Sequence, residues 1–215
     1  MSYTQRMSTG KSRRDQFSEA TRAALLEAAT RRFATLGFAG TSLEDVAADI
    51  RATRGAVYHH FSSKKALFEA VFQKLETEAV QKSRAAGEQG DNAWHRALLA
   101  LDAFLDTCTD PVYGRIVWQE APIALGWVCF AELEDEYAFG LIEEHMRDLM
   151  AGGYIEQLPL ETTARLAFSM LGAAGQSLSV AQEADKPRLK DEYRLVIGRM
   201  LQGLVTGGRA VMSNG

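Results

Sequence analysis

A guanidinium, a bare backbone and a methyl group follow one another at Arg54, Gly55 and Ala56, with a phenol at Tyr58, an imidazole at His59 and an ammonium at Lys64. Arg54 can donate a pair of hydrogen bonds to a guanine edge, Gly55 allows close backbone approach, and Ala56 can meet a thymine methyl. Tyr58, His59 and Lys64 can reach phosphates, and hydroxyl-capped helix starts near Ser42, Thr53 and Ser63 offer amide donors to anions. The chemistry of this set is duplex recognition. Patterns for bond-making chemistry fail on inspection. Gly10-Lys11-Ser12 looks like the end of a phosphate-binding loop, but the position five before Gly10 is Gln5 and no strand precedes it. The residues three before His59, His60, His95 and His145 are Ala56, Val57, Asn92 and Ile142, so no Glu-x-x-His metal motif exists. No Gly-x-Ser-x-Gly or Gly-x-Gly-x-x-Gly occurs either. The sequence therefore assigns no catalytic residue, no metal ligand and no cofactor, and an enzyme is the remotest reading.

Those side chains need a scaffold that turns them outward, and hydrophobic spacing supplies one. Leu25, Ala29, Phe33 and Leu36 form one helical stripe, with Ser18 as a candidate cap and Gly37 as the left-handed stop. A short second helix follows Thr41-Ser42 with Leu43, Val46, Ala47 and Ile50 inward; Glu44 and Asp45 suit its positive end. Thr53 caps a third helix of about seven residues, and Ser62-Ser63 caps a longer fourth one carrying Leu67, Phe68, Val71, Phe72 and Leu75. The segment 41–61 has the dimensions of a helix-turn-helix, with small Ala47 where the second helix crosses. With Val57 and Phe61 inward, Arg54, Gly55, Ala56, Tyr58 and His59 face out.

Beyond residue 75 the chain reads as longer helices with short breaks. They open at Asp91-Asn92, run from about 123 to 151, follow Pro159 for about 24 residues, and end with Leu189 to Val205 after Pro187. His145 reads as solvated or singly hydrogen-bonded, and Cys108 and Cys129 as small buried hydrophobes. The 215 residues are 47% hydrophobic and 24% charged, ordinary for a folded protein, and no apolar run suggests a membrane span or a leader; the expected location is the cytoplasm. The net charge of −4 is divided. Residues 1–67 carry eleven Lys/Arg against six Asp/Glu, a balance of +5, and residues 68–215 carry −9. Arg6, Lys11, Arg13 and Arg14 make a basic arm that can follow a minor groove.

The run TSLEDVAADIRATRGAVYHHFSSKKALF, Thr41 to Phe68, closely resembles the DNA-binding signature of the TetR family of bacterial transcriptional repressors, a likeness extending over about 19–72. In that family the position matching Thr53 caps the recognition helix, those matching Arg54 to Ala56 meet bases, and those matching Tyr58, His59 and Lys64 hold phosphates. Arg51 stands where the family usually has Gly, so a left-handed turn there costs about 1 kcal/mol. His60 and Ser62 also depart from the pattern. The resemblance implies an all-α protein: an arm at 1–17, a three-helix helix-turn-helix domain at 18–67, a multi-helix effector-binding and dimerisation domain at 68–208, and a tail at 209–215. It implies a dimer that binds a palindromic operator in double-stranded DNA. Its last two helices pair the subunits, the small run Gly172 to Gly175 with Ser177 allows close contact, and Leu189, Val196, Ile197, Met200, Leu201, Leu204 and Val205 form a wide apolar face. A small-molecule effector of unknown class is expected among Phe104, Trp118, Trp127, Phe130, Phe168 and Met170, oriented by Gln119 and Glu120. The alternative is the same DNA-binding module without a small-molecule effector, whose mark is a filled interior around Trp118 and Trp127.

Overall fold

The computed structural model describes residues 13–204. Most of the basic arm, residues 1–12, and the tail with Val205 lie outside the described residues. Within them the protein is helical, without strands. Helix α1 (Arg13–Leu36) starts earlier than Ser18, which is an interior residue rather than a cap. Leu25, Ala29 and Phe33 are fully buried, but Leu36 is 53% exposed because the helix ends there and the stripe has turned toward solvent. Gly37 closes α1 at φ 72°, as its position predicts.

Helices α2 (Leu43–Asp49) and α3 (Arg54–His60) follow, each with its expected cap: Ser42 accepts from the Asp45 amide and Thr53 from the Ala56 amide. Arg51 takes φ 55°, so the chain does make a left-handed turn without glycine. Helix α4 (Lys64–Gly87), capped by Ser63, is the spine of the molecule. The expected domain break at 67 falls inside it: Phe68 packs edge-on against Phe33 at 4.9 Å and Phe38 at 5.4 Å, and so belongs to the helix-turn-helix core.

Helix α5 (Ala93–Thr109), capped by Asn92, lies along α4. A single turn, α6 (Pro111–Tyr113), runs into a π-helical segment, Gly114–Glu120, and α7 (Ala121–Leu125). The expected helix over 123–151 is broken twice. Gly126 at φ 86° separates α7 from α8 (Trp127–Glu134), and a second π turn, Asp135–Phe139, leads into α9 (Gly140–Ala151). Helices α10 (Leu160–Val180) and α11 (Lys186–Gln202) complete the fold, α10 packing on the first π segment, α9 and α5, and α11 on α5 and α10.

The small residues of α10 have a partner inside the chain. A Cβ on Gly175 would overlap the Trp118 indole, whereas one on Gly172 would sit 4.0 Å from the same ring. Gly175 therefore serves the seat of Trp118, not the contact with a second chain for which its size suggested it. The wide apolar face of α11 also divides: Ile197 and Leu201 are buried within the subunit, while Val196 and Met200 face solvent. Gly175→Ala is expected to destabilise the fold by about 1–3 kcal/mol through overpacking. Gly172→Ala should be neutral or stabilising by up to about 1 kcal/mol from helix propensity. Thermal unfolding of the two variants beside wild type separates these effects.

Candidate nucleic-acid interface and its coupled cavity

The α3 surface is built from the inside outward. Val57 at 0% exposure and Phe61 at 4% anchor the helix to the core, and this fixes which side faces out. Arg54, Gly55 and His59 are exposed, Tyr58 is 44% exposed and Ala56 half-buried. The Arg54 guanidinium lies over the Tyr58 ring at 5.3 Å and its Nε is 3.2 Å from Glu44 Oε1 on α2. Such an open ion pair is weak and readily exchanged for a stronger acceptor. Gly55 is more telling. A Cβ there would meet only Thr53 Oγ1, at 3.9 Å, so the fold does not require glycine at this helix position.

Two of the expected contact residues are committed elsewhere. The Ser42 hydroxyl accepts from the Asp45 amide and donates to the Asp45 carboxylate at 2.6 Å. The Lys64 ammonium donates to the Phe38 carbonyl at 2.8 Å and sits 4.4 Å from that ring's centroid, so it holds the α1–α2 turn and has only its remaining N–H bonds to offer outward. The other side of the same turn is held from the C-terminal region. Glu120 accepts the Phe38 N–H at 2.8 Å and pairs with Arg115 at 2.7 Å. Gln119 donates to the Ser179 carbonyl at 2.6 Å. Gln119 and Glu120, expected to orient a ligand, are therefore structural ties.

Behind that tie lies a cavity of about 90 Å³ between α4, α5, α9, α10 and α11. Phe104, Trp118, Phe168 and Met170 line it as the sequence suggested. Trp127 does not. It is 68% exposed on the rim of an adjoining open groove of about 790 Å³, because the turn at Gly126 swings α8 outward, and Phe130 lines that groove instead. Trp118, Glu134, Phe168 and Gly172 border both spaces.

The polar groups of the cavity escaped sequence reasoning. Glu76 is 2% exposed and accepts a hydrogen bond from the Tyr113 hydroxyl at 2.7 Å. Glu134 is 8% exposed, and among the described residues its carboxyl has no hydrogen-bond partner. Burial pushes Glu76 up to about 7, with the Tyr113 bond pulling the other way. Burial, helped by the charge of Glu76, pushes Glu134 up to about 9. His145, expected to be solvated or singly hydrogen-bonded, is instead turned toward the cavity; among the described residues its Nε2 has no partner, and burial holds its pKa below the usual value. A signal was present: Glu76 follows Phe68 and Phe72 at steps of four, and Glu134 follows Phe130 at the same step, so both acids occupy core positions of their helices.

An outward-facing helix-turn-helix joined to a helical domain with an internal cavity defines the class of a two-domain helix-turn-helix regulator. The comparisons give the family. Residues 94–204 match the family model described as tetracyclin repressor-like, C-terminal domain, and residues 25–71 match that of bacterial regulatory proteins, tetR family. The chain belongs to the TetR family. It is 36% identical over 74 residues to the HTH-type transcriptional regulator TtgR of Pseudomonas putida, a stretch that is 34% of this chain and 35% of that protein. It is 38% identical over 73 residues to the probable acrEF/envCD operon repressor of Escherichia coli K12, covering 33% of each. The matches thus span about a third of the length of these curated relatives. A crystal structure of a TetR-family transcriptional regulator from Pectobacterium atrosepticum superposes over 91% of this chain and 98% of its own, with a TM-score of 0.77 and 25% identity. Among the described residues, no helix is long and apolar enough to cross a membrane.

The raised acids set a pH dependence. Each binds a proton in the folded protein that the unfolded chain has released above its ordinary carboxyl pKa, so their contribution to stability falls as pH rises toward their folded values. Between pH 6.5 and 8.5 the unfolding midpoint should fall with pH, and Glu134→Gln should flatten that fall. An unchanged slope in the variant would contradict the burial of an unpaired acid.

Proposed function

We propose that this protein is a dimeric transcriptional repressor that binds a palindromic operator through α3 of each subunit and releases it when an effector enters the cavity. The reading rests above all on the open α3 face, where Arg54, Gly55 and Tyr58 stand clear of the core on a helix anchored by Val57 and Phe61. A glycine that the fold does not need, at the position where a duplex backbone or base edge would come closest, favours recognition over a merely solvated surface. Arg54 would read a base, Gly55 and Ala56 would permit close contact, and Thr53, Tyr58 and His59 would meet phosphates. Ser42 and Lys64 then act mainly by fixing the helix starts and the α1–α2 turn.

Dimerisation through α10 and α11 is supported by their exposed apolar residues, Leu166 and Val180 on the first and Leu195, Val196 and Met200 on the second, each more than half exposed in the single chain. Two α3 helices set about 34–36 Å apart would enter successive major grooves on one face of the duplex. The route from cavity to α3 is short. Trp118 borders the cavity, and two residues on along the same π segment Glu120 holds the Phe38 amide. A ligand that moves Trp118 moves the tie, and operator affinity changes by the ligand's differential affinity for the two arrangements. The unfilled space beside Trp118 favours this reading over a regulator without an effector.

Two variants test the interface. Arg54→Ala should cost about 1–3 kcal/mol on the operator and much less on random duplex. Gly55→Ala should stabilise the free protein by about 0.5–1 kcal/mol while weakening operator binding. Anisotropy titrations on both duplexes, beside thermal unfolding, read these changes. Equal losses on the two duplexes for Arg54→Ala, or full operator affinity in Gly55→Ala, would count against the interface.

A further inference from the structure

The cavity and its groove carry an uneven set of charges. Among the described residues no Lys or Arg lines the cavity, yet two carboxyl groups and one imidazole do: Glu76, Glu134 and His145. Glu76 has the Tyr113 hydroxyl as a partner. Glu134 has no hydrogen-bond partner among the described residues, is 8% exposed, and stands where the cavity and the groove meet. The groove repeats the bias. Its charged residues are Glu132, Glu134, Asp135 and Arg165, and the one cation among them is occupied, bonded to Asp135 and lying 3.9 Å over the Phe139 ring.

We propose that the ligand of this site is a hydrophobic organic monocation, its positive head at Glu134 beside the Trp118 indole and its apolar body divided between cavity and groove. The inference rests on the effector reading above and adds the chemical class. A carboxyl left without a partner in an apolar pocket is costly unless something satisfies it. A neutral ligand satisfies it with one hydrogen bond, and an anion is repelled once either acid ionises. A cation converts the same group into an ion pair inside a low-dielectric site. Size agrees with a ligand shared between the two spaces. The cavity, about 90 Å³, is smaller than the roughly 150 Å³ in which an engineered apolar cavity takes up benzene, while the groove offers about 790 Å³. With Asp135 paired to Arg165 and Glu134 holding its proton, Glu132 leaves the groove one negative charge, which favours a cation at the entrance over an anion. Burial raises Glu134, so a permanent cation should expel a proton on binding, and a neutral molecule of the same shape should not.

Three probes decide the matter: benzyltrimethylammonium, its uncharged isostere neopentylbenzene, and an anion of similar size, 4-tert-butylbenzoate. Binding to the full-length protein without DNA is measured calorimetrically at pH 7 in two buffers of different ionisation enthalpy. The cation is expected to bind at least about tenfold tighter than either other probe, with release of on the order of one proton. Glu134→Gln should remove that advantage and the proton release while leaving neopentylbenzene affinity unchanged, which also shows that the variant pocket is intact. Equal or tighter binding of the neutral or anionic probe, or cation affinity untouched by Glu134→Gln, overturns the assignment while leaving the effector reading standing. Failure of all three probes overturns it as well. Cation binding that leaves the operator complex intact supports the ligand class and refutes ligand-driven release.

Discussion

One carboxylate joins the two halves of this protein. Glu120, at the end of a π-helical segment, accepts the Phe38 N–H at 2.8 Å while Arg115 neutralises it at 2.7 Å, and its side chain is only 13% exposed. A charged acceptor on a backbone amide in such a place is stronger than a neutral one. The turn it grips is shaped to receive it. Gly37 lies at φ 72°, and a Cβ there would come within 2.9 Å of Glu120 Oε1, so both the backbone angle and the approach of the carboxylate call for glycine. Lys64 secures the carbonyl of the same residue from the other side. With both polar groups of Phe38 held, the entry to α2, and through it the aim of α3, is referred to the C-terminal domain. Helix α4 makes a second link, since Phe68 in the helix-turn-helix core and Glu76 in the cavity lie two turns apart on it.

The cavity sits where these links converge, and its chemistry conflicts with stability. Burial raises the proton affinity of both acids, the charge of Glu76 raises that of Glu134 further, and an unpartnered imidazole nitrogen adds to the cost. The helices around them depart from regular α geometry in two places, at 114–120 and 135–139, and Trp118 and Ala138 on those segments border the cavity. π turns of this kind recur at functional sites because they re-aim side chains that an α-helix would point elsewhere. Local rules are broken together here, around the space where a ligand would act.

The helix-turn-helix was legible because each of its devices is local. Ser42, Thr53 and Ser63 cap the helices that follow them, Gly37 stops the first, and Val57 with Phe61 fix the outward face of α3. Arg51 was legible as a conflict and is one, at φ 55°. The cavity was half legible. Four of six expected lining residues border the cavity, since large apolar residues on stripes point inward whatever they surround. The rest required tertiary knowledge. The break at Gly126 starts a new helix within what reads as one, which puts Trp127 on the rim. The use of Glu120 depends on a contact 82 positions away along the chain. The small residues of α10 fit either a partner chain or an indole, and only packing distinguishes the two.

Amide hydrogen exchange at Phe38 tests this tie most directly, because it reads the bond itself without DNA or ligand. In wild type the Phe38 amide should exchange slowly, and in Glu120→Ala at least about tenfold faster, with α2 and α3 loosened and the α5 interior unchanged. Equal protection of Phe38 in the two proteins would contradict the account, since the turn would then be held without the carboxylate.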